Sequence, residues 1–214
     1  MVRRGIFITF EGIEGSGKST VAAKVAHRLA SMGCDVVLTR EPGGTEIGER
    51  IREILLSSEF SDMDATCELL LYLADRVQHQ REVITPALAE GRVVVCDRYF
   101  DASIAYQARA RRLGGLAEDL INRFAEPVPD LTILLDCSVE TGLARARGRI
   151  LQNADQVFAR FEEEDIGFHR SVRAAYLALA QSQPDRIKVV NAELPADEVF
   201  GKVWELVLER VGVG

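Results

Sequence analysis

Lysine is scarce in this chain: of 26 basic residues only four are lysines (Lys18, Lys24, Lys188 and Lys202), and 22 are arginines. Basic charge is itself the minority, against 33 acidic residues, for a net charge of −7. That balance excludes bulk electrostatic binding to nucleic acid or to an anionic membrane, which needs an extended basic surface. Long apolar runs are also missing. The longest, Ala174–Ala180, falls far short of the ~18 residues needed to cross a bilayer. The apolar stretch Ile6–Phe10 stops at Glu11 and is too short for a secretory signal core of about 7–15 residues. A cytoplasmic location is therefore expected. Cysteine is sparse as well. Cys34, Cys67, Cys96 and Cys137 are widely spaced with no C-x-x-C, which indicates reduced thiols rather than a zinc site or a disulfide framework. His27, His79 and His169 each fall alone in a helical pattern and read as surface or packing residues. No internal repeat or low-complexity tract is present.

What is present is ample apolar material, 47% of 214 residues, enough for one globular domain with a sizeable core. The first strand reads as Ile6–Glu11, followed by a glycine-rich turn, Gly12–Gly17, and a helix from Lys18 to Met32 with Gly33 as its terminal glycine. Further strands are expected at Asp35–Thr39, Val93–Cys96, Leu131–Asp136 and Ile187–Val190. Helices are expected from Thr45 to Leu56, Asp64 to Ala89 with a kink at Pro86, Phe100 to Ala110, Leu116 to Ala125, Val139 to Arg147, Glu162 to Ala180 and Ala196 to Val211. Gly148–Arg160 is polar with no clear apolar face. Apolar strands alternating with helices predict an α/β fold: a parallel five-stranded sheet with helices on both faces, three layers in all. Such sheets bind ligands at the carboxyl ends of their strands, here after Glu11, Thr39, Cys96 and Asp136.

The strongest motif is GIEGSGKS at residues 12–19, which fits G-x-x-x-x-G-K-[ST]. Glycines let backbone N–H groups converge on phosphate oxygens without Cβ clashes, and the following helix aims its N-terminus at the anion. Lys18 can reach the β- and γ-phosphates, and the Ser19 hydroxyl can ligate Mg²⁺. A strand enters the loop and a helix leaves it, so the context is right for a P-loop NTPase fold binding a nucleoside triphosphate. No guanine-reading N-K-x-D motif occurs, which weighs against a switch GTPase. The strand after Val93 ends in Asp97-Arg98-Tyr99 rather than Asp-Glu. An arginine there suits gripping a second phosphate better than activating water, so a small kinase is favoured over a motor. Tyr72 and Arg76 are four apart on one helix face, so a ring and a guanidinium point the same way, as a stacked base with its phosphate would require.

Phe-Glu-Gly at 10–12, GIEGSGKST at 12–20, TREPGGT at 39–45, YLADRVQ at 72–78, DRY at 97–99 and AYQ at 105–107 together resemble the thymidylate kinase family, in that family's order and over most of the chain. The resemblance implies phosphoryl transfer from ATP to dTMP, with Mg²⁺ as cofactor and a homodimer whose candidate interface is the long helix Asp64–Ala89. It implies ATP binding by Gly12, Ile13, Glu14, Gly15, Ser16, Gly17, Lys18, Ser19 and Thr20. For dTMP it implies Glu14, Arg40, Pro42, Tyr72, Arg76, Arg98, Tyr106 and Gln107, with Ser19, Glu41 and Asp97 supporting the metal directly or through water. One domain, residues 1–214, would carry a mobile lid at about 148–160. The phosphate loop has no arginine of its own, so the resemblance is to the bacterial type, in which basic lid residues supply that charge: Arg149 for ATP and Arg160 for catalysis, beside Lys18, Arg98 and Glu14. Ala159 stands where the family's lids often carry Asp. The remaining arginines, such as Arg28, Arg52 and Arg186, have no placement at the expected site.

Overall fold

The computed structural model describes residues 5–153 and 160–212, and of 149–153 the backbone alone. Its centre is a parallel sheet of five strands: β1 (Ile6–Glu11), β2 (Val36–Arg40), β3 (Val93–Asp97), β4 (Leu131–Asp136) and β5 (Ile187–Asn191), in the order β2-β3-β1-β4-β5. β1 lies between β3 and β4, with Phe7 opposite Val94 and Phe10 opposite Ile133. The inner strands are nearly all apolar because both faces are covered. Phe7, Val94 and Cys96 pack toward Leu73, Ile84 and Ile121, whereas Ile8, Phe10 and Val95 pack toward Val25, Leu29 and Val203. The strand order reverses beside β1, and this opens a crevice at the strands' carboxyl ends, where the loop after β1 sits.

The helices are α1 (Lys18–Ser31), α2 (Glu46–Leu56), α3 (Ala65–His79), α4 (Thr85–Ala89), α5 (Phe100–Ser103), α6 (Gly115–Arg123), α7 (Val139–Asn153), α8 (Ile166–Ser182) and α9 (Ala196–Val211). Thr45 caps α2 by accepting from the Gly48 N–H at 2.9 Å, and Asp64 caps α3 through the N–H groups of Thr66 and Cys67. α3 and α4 form one continuous helix joined by a π-helical segment, Gln80–Ile84. Pro86 lacks an N–H and its ring crowds the carbonyl four residues back. The widened turn absorbs that conflict at the place where the sequence predicts a kink. A second π-helical segment, Ile104–Ala110, extends α5.

The largest departures from the expected helix boundaries are both at the lid. α7 continues past Arg147 to Asn153, because Gly148 costs a helix only about 1 kcal/mol and a helix already nucleated adds residues cheaply. α8 begins at Ile166 rather than Glu162, since Asp165 accepts from the Phe168 N–H at 2.9 Å and sets the cap there. Residues 154–159 of the expected lid lie outside the described residues.

Candidate active site at the carboxyl ends of the strands

The loop 12–17 folds as its composition requires. A Cβ on Gly15 would stand 1.9 Å from the Gly142 carbonyl oxygen of α7, and one on Gly12 would stand 2.4 Å from that of Leu135; both residues have positive φ. Only glycine lets the loop pass so close to its neighbours. Lys18 opens α1 and is buried. Its Nζ donates to the Ile13 carbonyl at 2.8 Å. Burial, together with the Arg98 charge, pushes the ammonium down to about 8, against the opposing pull of Asp97, Glu14 and Glu11. Next to it, the Ser19 hydroxyl donates to Asp97 Oδ2 at the end of β3, and Asp97 Oδ1 is buried with no hydrogen-bond partner.

Arg98, one residue beyond β3, adopts φ 70, an uncommon conformation for a residue with a Cβ. That turn swings its guanidinium over the phosphate loop, where Nη2 meets Glu14 Oε1 at 2.8 Å and the Tyr106 hydroxyl at 3.1 Å. Nη1 donates to the Tyr176 hydroxyl at 3.3 Å. Tyr106 also donates to Glu14, at 2.6 Å. Burial alone would raise the Glu14 carboxyl. Arg98 first, then His169, Lys18 and Tyr106, outweigh it and hold the group well below the usual carboxylate range.

Arg76 is organised by a second network. Its Nε donates to Glu41 Oε2 and its Nη2 to the Ser103 hydroxyl, both at 2.9 Å, while the buried Nη1 has no partner. The other oxygen of Glu41 accepts from His79 Nδ1 at 3.0 Å, and His79 Nε2 shares a 2.6 Å hydrogen bond with the Thr39 hydroxyl. His79 thus ties α3 to β2 at Thr39 and to Glu41 just beyond it. Asp75 Oδ1 accepts from the Gly43 N–H at 2.9 Å, and its Oδ2 is buried and unpartnered.

Burial, and then the neighbouring Glu41 charge, push the Asp75 carboxyl up to about 8 from an ordinary 3.8. Its contribution to stability is therefore full below about pH 4 and lost as pH rises through about 8. Asp75→Asn keeps the acceptor for Gly43 and never ionises. Urea unfolding is expected to show a flatter pH dependence than wild type between pH 5 and 8 and a more stable protein at pH 8. Parallel profiles would contradict this reading of Asp75.

These groups open into one cavity of about 470 Å³, in the range of small-molecule sites. On the phosphate side its wall includes Glu14, Gly15, Gly17, Lys18, Ser19 and Thr20, along with Asp97 and Arg98. Arg40, Glu41, Pro42, Tyr72, Arg76, Tyr106 and Gln107 complete the expected residues found there. Gly12, Ile13 and Ser16 shape the loop behind it. Arg40 is paired bidentately with Glu49 at 2.8 and 2.9 Å.

Glu41 lines the cavity with one oxygen accepting from Arg76 and the other from His79, so it orients a guanidinium there. One expected role is not met in this arrangement. Arg160 is buried off the cavity wall. Its Nη2 lies 2.7 Å from Glu68 Oε2, its Nε donates to the Phe60 carbonyl and its Nη1 to the Leu55 carbonyl. Its neighbours Phe161 and Glu162 reach the cavity in its place. The side chain of Arg149 lies outside the described residues. Conversely, Arg52 lines the cavity and donates to the Pro42 carbonyl at 2.9 Å. His169 is fully buried with Nδ1 3.3 Å from Glu14 Oε2, so neither it nor His79 is a mere surface or packing residue. His79 continues the Tyr72 and Arg76 face of α3 at the next helical step, a signal that was legible in the sequence. His169 has no such local signal.

Comparison with known proteins agrees with the geometry. A family model described as thymidylate kinase matches residues 10–203. The thymidylate kinase of Pelobacter propionicus is 47% identical over 208 residues, covering 96% of this chain and 95% of the relative. That of Geobacter sulfurreducens is 47% identical over 212 residues, covering 97% and 98%. Among solved structures, a thymidylate kinase from Ehrlichia chaffeensis superposes with a TM-score of 0.75 at 30% identity, covering 95% of this chain and 99% of that one.

Proposed function

The chain belongs to the thymidylate kinase family, and from that membership we propose how its own residues carry out the transfer of a phosphoryl group from ATP to dTMP. The observation that carries the assignment is the shared cavity. A triphosphate-cradling loop forms one wall with Arg98 over it, and the same cavity is lined by Arg76, whose buried Nη1 has no hydrogen-bond partner.

Phosphoryl transfer needs alignment and charge neutralisation more than covalent chemistry. The backbone N–H groups of Gly12–Thr20 hold the ATP phosphates, with Lys18 leaving the Ile13 carbonyl for the β- and γ-oxygens. Arg149 of α7 adds positive charge on the ATP side. Arg98 and Arg76 grip the dTMP phosphate and set its attacking oxygen in line, with Glu14 holding Arg98 in place. Tyr72 stacks on the thymine, Tyr106 and Gln107 border the nucleoside, and Arg40 and Pro42 close the edge. Arg160 contributes at the phosphates only by leaving Glu68.

The Ser19 hydroxyl and the Asp97 carboxylate, with its unpartnered Oδ1, are hard oxygen donors of the kind Mg²⁺ prefers, and Mg²⁺ sites commonly use one or two protein oxygens plus phosphates and water. Mg²⁺ there would neutralise charge on the transferring phosphates. No helix among the described residues is long and apolar enough to cross a membrane, and the substrates are soluble nucleotides, so the cytoplasm is the proposed place of action. A homodimer is supported by exposed apolar pairs one heptad apart on two packed helices, Ile47 and Ile54 on α2 and Leu70 and Val77 on α3. A coupled ADP-release assay with dTMP, dUMP, dCMP, dGMP and thymidine tests the reading. Fastest turnover is expected with dTMP, and exclusive use of thymidine would overturn it.

A further inference from the structure

The geometry points to Glu68 as the residue that sets which pyrimidine this enzyme accepts, by fixing which way round the Gln107 amide faces. Glu68 lies on α3 one turn before Tyr72 and is fully buried. Its Oε1 accepts from Gln107 Nε2 at 2.8 Å and from Arg111 Nε at 3.3 Å. Its Oε2 accepts from Arg111 Nη2 at 3.1 Å and stands 2.7 Å from Arg160 Nη2. Both arginines are themselves pinned, Arg111 with its guanidinium 4.6 Å from the Phe168 ring and Arg160 with its own 5.4 Å from that of Phe161.

A carboxylate facing two guanidiniums offers acceptors and no donor. A glutamine amide is nearly symmetric in shape but opposite in polarity at its two ends, and a half-turn of its last torsion exchanges them. Only the NH₂ end can meet Glu68. The flipped amide would press its carbonyl oxygen against a carboxylate oxygen in a buried site, leaving that carbonyl facing an acceptor and Glu68 Oε1 with only its longer bond from Arg111. The carbonyl of Gln107 is therefore the end left for a ligand in the cavity that Gln107 lines beside Tyr72.

The chemistry of the bases then decides. Thymine and uracil carry a hydrogen on N3 and donate to that carbonyl. Cytosine carries a lone pair on N3, so two acceptors would face each other. With a free amide, Gln107 could turn to suit either base. With Glu68 behind it, the residue reads in one sense only. Glu68 does not touch the substrate; it is a positioning residue. This inference rests on the proposed placement of the base at Tyr72 and Gln107.

The test is the ratio of kcat/KM for dTMP to that for dCMP. Glu68→Asp keeps the charge that Arg111 and Arg160 need but withdraws it from Gln107 by one methylene. Because a site that hydrogen-bonds its substrate discriminates strongly through that bond, the ratio is expected to narrow at least tenfold. The loss should appear mainly as a higher KM for dTMP, and the dTMP to dUMP ratio should not change, since both bases donate from N3. Arg160→Ala, which removes a different partner of the same carboxylate, should leave the dTMP to dCMP ratio as in wild type. If Glu68→Asp does not fold, Glu68→Gln, whose amide can pair with Gln107 either way round, carries the same expectation. Gln107→Leu separates the two levels. If it leaves the ratio unchanged, the placement of the base fails. If it narrows the ratio and the Glu68 variant does not, or if the Glu68 variant slows every substrate equally, the role given to Glu68 is overturned.

Discussion

Lys18→Ala is expected to lower kcat by about a thousandfold and to leave the protein folded. Lys18 has its ammonium on a loop carbonyl, 2.8 Å from Ile13 O, in a buried site at the start of α1. It forms no close ion pair among the described residues, so little of the fold depends on it. Its charge matters when negative charge moves between phosphates in a site shielded from water. There, one preorganised electrostatic contact is worth about 10²–10³ in rate. The stability side has the opposite sign. Burial and Arg98 push Lys18 down to about 8 from 10.5, so the folded protein resists carrying this proton. The cost is full below about pH 8 and fades toward pH 10.5, where the unfolded chain also releases its proton. Alanine removes the term. The variant should be at least as stable as wild type at pH 7, and that advantage should shrink by pH 10. Steady-state kinetics at saturating ATP and urea unfolding at the two pH values check both halves. A kcat within tenfold of wild type would contradict the role given to Lys18.

The fold was legible because its central strands are buried on both faces and therefore appear as short, unbroken apolar runs. Val93–Cys96 and Ile187–Val190, as expected, end one residue short of β3 and β5, and Asp35–Thr39 is β2 shifted by one residue. The π-helical segments were not legible, because over a single turn a wider helix presents almost the same apolar pattern as an ordinary one. The continuation of α7 to Asn153 is hidden in the sequence for a related reason. Its polar residues have no core face to show, yet nothing in them stops a helix.

The site was legible where chemistry is local. The phosphate loop is one contiguous segment whose glycines, lysine and serine each have a short-range reason to be there. Pairings across the chain were not legible. The resemblance assigns Glu41 to the support of a metal, and only the fold brings in His79, 38 residues away, and Arg76, 35 away, as partners of its two oxygens. Arg160 looks like a lid arginine until Glu68 and the carbonyls of Leu55 and Phe60 are found around it. A lone acidic residue in a helical pattern, such as Glu68 or Asp75, gives no sign in sequence that it will be buried beneath a binding cavity.

Arg98→Ala is expected to lower kcat/KM for dTMP by about a thousandfold, the scale for losing a preorganised charge at the reacting phosphate, and to destabilise the protein as well. The two effects have different origins and can be separated. The structural loss comes from Glu14. Its carboxyl is buried yet held well below the usual range, with Arg98 at 2.8 Å as the leading favourable cause. Taking away one member of a buried pair leaves the other charge uncompensated, at a cost of about 3 kcal/mol. Because the folded protein lowers the Glu14 pKa, the stability it contributes is present above about pH 4.5 and is lost as pH falls toward the depressed value. The stability gap between wild type and Arg98→Ala should therefore be largest near neutrality and narrow in acid. Adding Glu14→Gln removes the stranded charge, so the double variant should regain most of the lost stability at pH 7. It should not regain activity, since no guanidinium has returned to grip the acceptor phosphate. The backbone at position 98 gives no competing explanation, because alanine carries a Cβ just as arginine does and meets the same resistance at φ 70. Recovery of both stability and kcat/KM in the double variant would mean that Arg98 acts only by neutralising Glu14, and its assignment to the dTMP phosphate would fall.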